Sequence, residues 1–324
     1  MCKHYDVMAL GECLIDLTPA GEDETGAPLL ACNPGGAPAN MLAMCARLGG
    51  RTAFIGQVGD DAFGRRLGRA LSAAGIDCTG LRYTRRAPTT LAVVHLDENA
   101  DRSFTFYRKP GADILLRRED VDPSLPARCG IFHFGSLSLT DEPARTATLW
   151  AVETARQAGA LISYDPNYRP PLWPCEAEAV AWMRRGLQQA NLVKVSLEEL
   201  ALLTGTDDPA AGTAQLVAGG ALLAVATLGA EGAYWRTAQG GGHVPALPVK
   251  AADTTGAGDA FWGAMLWQLR GQTARTLEAL PQARWTAMTA FACAAGSLTA
   301  TRRGAIPAMP REEEIRRALA GQPV

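Results

Sequence analysis

The segment DTTGAGDAF, residues 253–261, places a carboxylate directly after a glycine-rich turn. Gly256 and Gly258 flank Ala257, so the backbone N–H groups of these residues can turn toward one point, and the apolar run that follows predicts a helix beginning there. A helix N-terminus with free N–H groups binds anions. Asp259 would repel a bound phosphate unless it accepted the proton of an attacking hydroxyl. The segment predicts a phosphoryl-transfer centre with Asp259 as base and residues 256–258 as anion hole; the alternative is a helix start that only packs against a sheet edge.

A second glycine-rich turn, at Gly35 and Gly36, precedes another apolar helical run at residues 41–48. Paired glycines let the backbone approach a ligand closely, and Asn40 would point an amide from the first helical turn. Asp16 adds a carboxylate, unless it is only a turn residue at a strand end. Because carboxylates and amides form strong hydrogen bonds to vicinal hydroxyls, these residues predict contacts to a polyhydroxylated ligand.

Together, residues 35–59 and 253–266 resemble the two signature regions of the ribokinase (PfkB) family of sugar kinases, and the resemblance spans nearly the whole chain. Within the family it is strongest to fructokinases. The segments that carry this closer similarity are residues 11–16, 104–108, 132–139, 163–173, 193–196 and 301–307. The resemblance implies ATP-dependent transfer of the γ-phosphate to a ketose hydroxyl, with fructose as the expected substrate and fructose 6-phosphate as the product.

The resemblance also implies a role for each residue that matches a family motif. The residues expected to bind the sugar, besides Asp259, are Asp16, Gly35, Gly36, Asn40, Tyr107, Arg108 and Arg169. The residues expected to bind the nucleotide are Lys194, Glu199, Thr227, Gly229, Gly232, Gly256 and Gly258. Cys293 stands where relatives often have a residue that bonds to adenine, so only packing is expected there.

Two metal ions are implied as well. Glu199 is expected to organise Mg²⁺ through water, although Ser196 stands where many relatives have an asparagine. A potassium ion is expected beside the anion hole. The residues expected to surround it, partly through backbone oxygens, are Asp253, Thr255, Thr299, Arg302 and Gly304.

Three alternatives remain open. A 2-keto-3-deoxygluconate kinase shares several of these segments; its substrate carries a carboxylate, for which Arg108 or Arg169 could supply a cation. A nucleoside kinase would have a more aromatic and apolar sugar pocket. A non-catalytic, sugar-responsive binding protein on the same fold would be expected to lose the base or a glycine of the anion hole, whereas Asp259, Gly256 and Gly258 are all present.

From residue 110 onward, short apolar strands alternate with helical runs, and residues 7–14 predict a buried first strand. This pattern predicts an α/β fold whose mostly parallel central sheet is covered by helices on both faces. Ligands of such sheets bind beyond the carboxyl ends of the strands. The resemblance implies a ribokinase-like three-layer sandwich that forms one domain over residues 1–324.

Four amphipathic segments interrupt this alternation and predict a separate small sheet: residues 15–18, 29–33, 89–96 and 103–107. The polar residues 97–101 between the last two are typical of a β-hairpin turn. The resemblance implies that this sheet is a lid, formed by roughly residues 15–34 and 87–110. Because one small sheet leaves an apolar face uncovered, we expect a homodimer through the lids.

The composition is that of an ordinary globular protein. The chain has 324 residues, 48% of them hydrophobic, and a formal net charge of −2. These values exclude a disordered chain, and the absence of long basic runs argues against nucleic acid or a membrane surface as a partner. The N-terminus is too polar for a signal peptide. The eight cysteines lack disulfide or zinc spacing, so we expect reduced thiols in the cytoplasm.

Overall fold

The computed structural model describes residues 3–96 and 102–322. Within these ranges the chain forms thirteen strands and ten helices. The strands are β1 (Tyr5–Leu10), β2 (Leu14–Glu22), β3 (Pro28–Gly35), β4 (Thr52–Gly59), β5 (Ile76–Thr84), β6 (Leu91–Leu96), β7 (Arg102–Tyr107), β8 (Cys129–Gly135), β9 (Leu161–Asp165), β10 (Leu192–Ser196), β11 (Leu223–Thr227), β12 (Ala233–Thr237) and β13 (Gly240–Val244). The helices are α1 (Ala37–Arg47), α2 (Ala62–Ala73), α3 (Ala144–Gln157), α4 (Glu176–Leu187), α5 (Leu197–Thr204), α6 (Pro209–Ala218), α7 (Ala257–Gln268), α8 (Ala274–Glu278), α9 (Gln282–Ala300) and α10 (Glu312–Leu319).

A nine-stranded sheet forms the centre of the molecule, in the order β13-β12-β11-β10-β9-β8-β1-β4-β5. Neighbouring strands from β11 to β5 are parallel, and β12 and β13 extend the sheet antiparallel. One face packs against helices that include α1 and α7, through buried residues such as Met41 and Trp262. The other face packs against α3 and α4, through residues such as Ala151 and Met183. The predicted three-layer α/β sandwich is therefore confirmed.

A second sheet has four strands in the order β3-β2-β6-β7. Strands β6 and β7 pair antiparallel, with Leu91 opposite Tyr107, as the hairpin prediction required. The predicted turn, residues 97–101, lies outside the described residues. Strand β2 joins the hairpin by pairing parallel to β6 and antiparallel to β3. The small sheet thus contains the four segments that the amphipathic pattern singled out.

The first strand ends earlier than predicted. Residues 7–14 were expected to form one strand, but β1 ends at Leu10 and β2 begins at Leu14. Between them Gly11 donates its N–H to the carbonyl of Ile55 at 3.2 Å. A Cβ on Gly11 would lie 2.6 Å from Cγ of Pro38, so helix α1 crosses directly over this point. The apolar run is broken because the chain here leaves the central sheet for the small one.

The structure also bears on two expectations drawn from composition, those about membrane-spanning segments and about the state of the cysteines. Among the helices in residues 3–96 and 102–322, none combines the length and apolarity that crossing a bilayer requires. The cysteines in the described part of the chain are free thiols: Cys13, Cys32, Cys45, Cys78, Cys129, Cys175 and Cys293.

Candidate active site

A polar cavity of about 680 Å³ opens where the two sheets meet. The strand order reverses at β1: the chain continues to β4 and β5 on one side of it and to β8, β9 and β10 on the other. Ligands of open α/β sheets bind at the point where the strand order reverses. Both glycine-rich turns and the small sheet contribute to the cavity wall. The wall residues that matter below are Glu12, Asp16, Gly36, Asn40, Phe104, Leu137, Arg169, Lys194, Gly258 and Asp259.

Asp259 lies in the first turn of α7, with its side chain at the cavity wall. Asn40 Nδ2 donates a hydrogen bond to Asp259 Oδ2 at 2.9 Å, so an amide from the other glycine-rich turn orients the carboxylate. Burial raises the pKa of Asp259 to about 6, and the bond from Asn40 together with the charge of Lys194 opposes this rise. The carboxylate is therefore ionised at neutral pH and can act as a general base.

The backbone amides beside Asp259 form most of the predicted anion hole. Gly256 has a φ of +76° and caps α7. In the described part of the chain, the N–H groups of Gly256 and Gly258 have no hydrogen-bond acceptor. Ala257 differs from the expectation, because its N–H donates to the carbonyl of Thr254 at 3.2 Å. Two of the three predicted N–H groups are thus available to an anion.

A buried ion pair adds a fixed positive charge at the same place. Lys194 Nζ, on β10, lies 2.8 Å from Oδ2 of Asp165, at the end of β9. It would also lie 3.3 Å from a Cβ placed on Gly258, next to the open amides. Burial alone would lower the pKa of Lys194, but the charges of Asp165 and Glu199 raise it above its ordinary value. The side chain is therefore an ammonium at neutral pH.

Asp16, on β2, supplies a second cavity carboxylate. A Cβ on Gly35 would lie 2.1 Å from Asp16 Oδ2, so the absence of a side chain at 35 leaves the space that this carboxylate fills. Burial raises the pKa of Asp16 to about 7, and the guanidinium of Arg169 opposes the rise. The predicted residues Asp16, Gly36, Asn40, Arg169 and Asp259 thus line one cavity, and Gly35 lies behind Asp16.

Glu12 fixes the turn between β3 and α1. Its Oε1 accepts the N–H of Ala37 at 2.9 Å, while its Oε2 is buried without a hydrogen-bond partner. Oδ1 of Asn40 is likewise buried and unpaired. Buried acceptors are normally hydrogen-bonded. This part of the cavity therefore suits a ligand that brings several hydroxyl donors.

Gly36 is expected to tolerate no side chain. Its φ is +107°, and a Cβ would lie 2.5 Å from the carbonyl oxygen of Glu12. Gly36→Ala should lower the free energy of unfolding by about 3 kcal/mol, because it combines backbone strain with a clash against backbone. Gly49→Ala is the matched control, since Gly49 has a φ of +87° with nothing within 4 Å. It should lose about 1 kcal/mol in urea unfolding; equal losses would show that the approach to Glu12 is unimportant.

Two residues predicted to contact the sugar, Arg108 and Tyr107, do not line the cavity. Arg108 is buried: its Nε donates to Asp113 at 2.8 Å, its Nη1 to Thr140 at 2.9 Å and its Nη2 to the carbonyl of Leu137 at 2.8 Å. Its donors are used within the protein. Tyr107 is 62% exposed and does not line the cavity wall.

A second, largely apolar cavity of about 510 Å³ lies on the other side of the anion hole. Thr227, Gly229 and Gly232, which were predicted to bind a nucleotide, line it together with Cys293. Gly258 lines both cavities. The first turn of α7 therefore separates the polar cavity from the apolar cavity.

Glu199 does not line either cavity. Its carboxylate accepts the N–H of Tyr168 at 2.6 Å and that of Ser196 at 2.8 Å. It forms the capping box of α5 with Ser196, a role that the pattern Ser-x-x-Glu indicates in the sequence and that was overlooked. Glu198, which was not predicted, lines the polar cavity instead. A magnesium role for Glu199 stays a prediction that requires water to bridge the gap.

The residues predicted to surround potassium form a hydrogen-bonded group of three and a separate pair. Asp253 accepts the N–H of Thr255 at 2.8 Å and that of Gly304 at 2.9 Å. The carbonyl of Thr299 accepts the N–H of Arg302 at 3.2 Å. Within residues 3–96 and 102–322, no group of three or more His, Cys, Asp or Glu side chains could hold a metal ion. A cation beside Asp253 would therefore depend on backbone oxygens, as predicted.

Phe104 and Asn167 also line the polar cavity, although sequence reasoning gave them no role there. The guanidinium of Arg169 lies 5.9 Å from the ring centre of Phe104, so the small sheet contacts the main body across the cavity. Asn167 has a φ of +46°, which asparagine tolerates better than most residues. An aromatic residue on an amphipathic strand gives no local signal that separates packing from ligand contact.

Comparison with known proteins places these features in a family. The model of the pfkB family carbohydrate kinases matches residues 5–312. The chain is 42% identical over 318 residues to probable fructokinase-4 of Arabidopsis thaliana, covering 97% of each chain. It is similar to the structure of fructokinase with bound ATP from Xylella fastidiosa, with 36% identity, a TM-score of 0.90 and coverage of 98% and 99%. It is also similar to fructokinase from Vibrio cholerae O395 with fructose, ADP and calcium ion bound, with 36% identity, a TM-score of 0.86 and coverage of 97% and 98%.

Proposed function

The chain belongs to the pfkB family of carbohydrate kinases, and from that premise we propose that it transfers the γ-phosphate of ATP to the 6-hydroxyl of fructose. One observation carries the proposal: the polar and apolar cavities meet at Gly258, and the next residue, Asp259, faces the polar side. A phosphoryl group at this partition has the nucleotide behind it and a sugar hydroxyl in front of it. Fructose is chosen because the similar plant and bacterial proteins are fructokinases.

The polar cavity binds the sugar. Asp16 and Asn40 accept hydrogen bonds from its hydroxyls, and the buried Oδ1 of Asn40 gains the partner that it lacks. The backbone at Gly36 approaches the sugar because no side chain intervenes. Asn40 also holds Asp259 in place through the 2.9 Å hydrogen bond, so the sugar and the base share one positioning residue.

Chemistry takes place at the start of α7. Asp259 accepts the proton of the 6-hydroxyl as its oxygen attacks the γ-phosphorus in line with the leaving ADP oxygen. The N–H groups of Gly256 and Gly258 hold the phosphoryl oxygens. Lys194 and Arg169 offset the charge that spreads over these oxygens. An ordinary carboxylate suffices as the base, because the hydroxyl loses its proton late in a loose transition state.

Two metal ions belong to this proposal. The nucleotide phosphates would hold Mg²⁺, with Glu199 acting on it through water, and the ion would supply positive charge that neutralises the phosphates. The carboxylate of Asp253 and nearby backbone oxygens would hold potassium, which would supply positive charge beside the anion hole. The carboxylate of Asp253 is already oriented by the N–H groups of Thr255 and Gly304, so little ordering is needed for it to accept a cation.

The proposal is tested by a coupled assay of ADP release with a panel of acceptors. Fructose should give the highest kcat/KM among fructose, tagatose, ribose, adenosine and 2-keto-3-deoxygluconate, and the product should be fructose 6-phosphate. Higher kcat/KM with adenosine or with the sugar acid would assign a different acceptor. A rate of ADP release that is the same with and without an acceptor would contradict the assignment as a sugar kinase.

The pH dependence of kcat/KM should report the buried carboxylates. Because Asp259 and Asp16 have pKa values of about 6 and about 7, activity should fall as the pH is lowered through this range and the carboxylates gain protons. Asn40→Ala removes a hydrogen bond that lowers the pKa of Asp259, so the acid limb should move to higher pH. Asn33→Ala is the control, because Asn33 bonds to Thr18 on the small sheet. A limb that stays in place in Asn40→Ala would argue against Asp259 as the titrating base.

We infer that the small sheet is a lid on one kinase domain. Phe104 and Asp16 reach from its strands into the polar cavity, so its position determines whether the sugar site is complete. Leu29 and Leu30 on β3 are 45% and 47% exposed, which supports a homodimer that covers the lid. Light scattering should then give twice the chain mass; a monomeric mass would contradict the dimer. The free thiols support a reducing compartment such as the cytoplasm.

A further inference from the structure

The charges around the polar cavity are unevenly distributed. Glu12, Asp16 and Asp259 bring carboxylates to its wall, and Lys194 is already paired with Asp165. A neutral sugar is compatible with such a wall. A sugar acid is not, because its carboxylate would be desolvated beside these three carboxylates. The other cation at the wall, Arg169, already faces the charges of Asp16 and Asp259, since it opposes the rise in the pKa of both.

Another cation lies directly behind the wall. Arg108 Nη2 donates to the carbonyl of Leu137, and Leu137 lines the cavity. Burial raises the pKa of Glu12 to about 7; the charge of Arg108 opposes this rise and the charge of Asp113 adds to it, so both members of the pair act on a residue of the wall. Arg108 is therefore close enough to attract a substrate carboxylate if its charge were free.

Asp113 neutralises that charge. Its Oδ2 lies 2.8 Å from Nε and 2.7 Å from Nη2 of Arg108, and the side chains of the pair are 3% and 5% exposed. Its other oxygen, Oδ1, accepts the hydroxyl of Thr90 at 2.5 Å. A Cβ on Gly111 would lie 2.7 Å from Oδ1 of Asp113 and 2.0 Å from Oγ1 of Thr90, so the absence of a side chain at 111 leaves the space that this hydrogen bond occupies. The pairing is fixed on both sides.

We propose that Asp113 is a specificity-determining residue: by pairing with Arg108 behind the cavity wall, it makes the site select neutral sugars over sugar acids. The inference rests on the proposed sugar kinase function. In a poorly solvated site, an unpaired guanidinium acts over several ångströms on a substrate carboxylate, whereas the opposite charge of a partner offsets most of the field of a paired one. The pair thus acts on substrate choice without touching the substrate.

The decisive variant is Asp113→Asn, which keeps the shape and the oxygen that accepts from Thr90 or Arg108 but removes the negative charge. We measure kcat/KM for fructose and for 2-keto-3-deoxygluconate in both proteins. The ratio of the fructose value to the sugar-acid value should fall at least tenfold in the variant. An unchanged ratio, with both values reduced in parallel, would mean that Asp113 only supports the fold, and would overturn the proposal.

A double variant separates charge from structure. Arg108→Gln with Asp113→Asn removes both charges, so discrimination against the sugar acid should return toward that of the wild type. If the double variant discriminates as poorly as Asp113→Asn, a freed guanidinium is not the cause and the proposal fails. The double variant also keeps the proposal testable if Asp113→Asn is unstable, because the double variant leaves no uncompensated charge behind the wall.

The wild type provides a test that needs no variant. 2-Keto-3-deoxygluconate should inhibit fructose phosphorylation at least tenfold more weakly than tagatose, the neutral competitor. Equal inhibition would overturn the role of Asp113. A wild type without fructose turnover would instead refute the proposed function, so the two failures are distinguishable.

Discussion

Replacing Asp259 by asparagine is expected to lower kcat for fructose phosphorylation by about 10²- to 10⁴-fold, the usual contribution of a general base. Asparagine has nearly the same shape and can still bond to Asn40, but its amide cannot take the proton of the 6-hydroxyl. The KM for ATP should change little, because Asp259 faces the polar cavity rather than the apolar one. Steady-state kinetics with both substrates varied will separate the two effects.

Asp207→Asn is the matched control, because Asp207 is exposed and lies outside both cavities. It should keep wild-type kcat. The acid limb of the pH profile provides a second readout for Asp259→Asn: residual activity should no longer fall with the protonation of residue 259. Near-normal turnover in Asp259→Asn would refute the assignment of the base.

The second large effect is expected at Lys194. Lys194→Met should lower kcat/KM for ATP by about 10²- to 10³-fold, because an ammonium beside the anion hole stabilises charge on the transferred phosphoryl group. It should also lower the free energy of unfolding by about 3–5 kcal/mol, since Asp165 is left as an unpaired buried carboxylate. Coupled kinetics and urea unfolding measure the two losses independently.

The double variant of Lys194→Met and Asp165→Asn distinguishes the two roles of the lysine. Removing both charges should restore most of the lost stability, because no unpaired buried charge remains. Activity should stay low, because the phosphoryl group still lacks its cation. If activity returns together with stability, Lys194 acts only on the fold and the proposed phosphate contact is wrong.

Local sequence patterns predicted the fold well, and the two glycine-rich turns that they singled out line one cavity. The α/β sandwich and the separate small sheet follow from periodicity, which depends on neighbouring residues. The family assigned from the two glycine-rich segments is confirmed by the match over residues 5–312. The meeting of Asn40 with Asp259 could be expected only through the family resemblance, since 219 positions separate them.

The site predictions that remain open concern residues whose partner within the protein decides their role. Arg108 directly follows a lid strand, a position that favours a sugar contact, but its ion pair with Asp113 holds it behind the cavity wall. Glu199 matched a family position, yet the capping box with Ser196 occupies its carboxylate. Residue type and position alone do not reveal such pairing. For Glu199, however, the Ser-x-x-Glu pattern is a local signal of the capping box.

The most direct test is a crystal structure with fructose, ADP and aluminium fluoride, which imitates the transferred phosphoryl group. The fluoride atoms should lie about 2.7–3.1 Å from the N–H nitrogens of Gly256 and Gly258. On the opposite side, the carboxylate of Asp259 should lie about 2.6–3.2 Å from the 6-hydroxyl of fructose. A phosphoryl mimic bound away from these amides, or a carboxylate at 259 without the sugar hydroxyl in reach, would contradict the proposed mechanism.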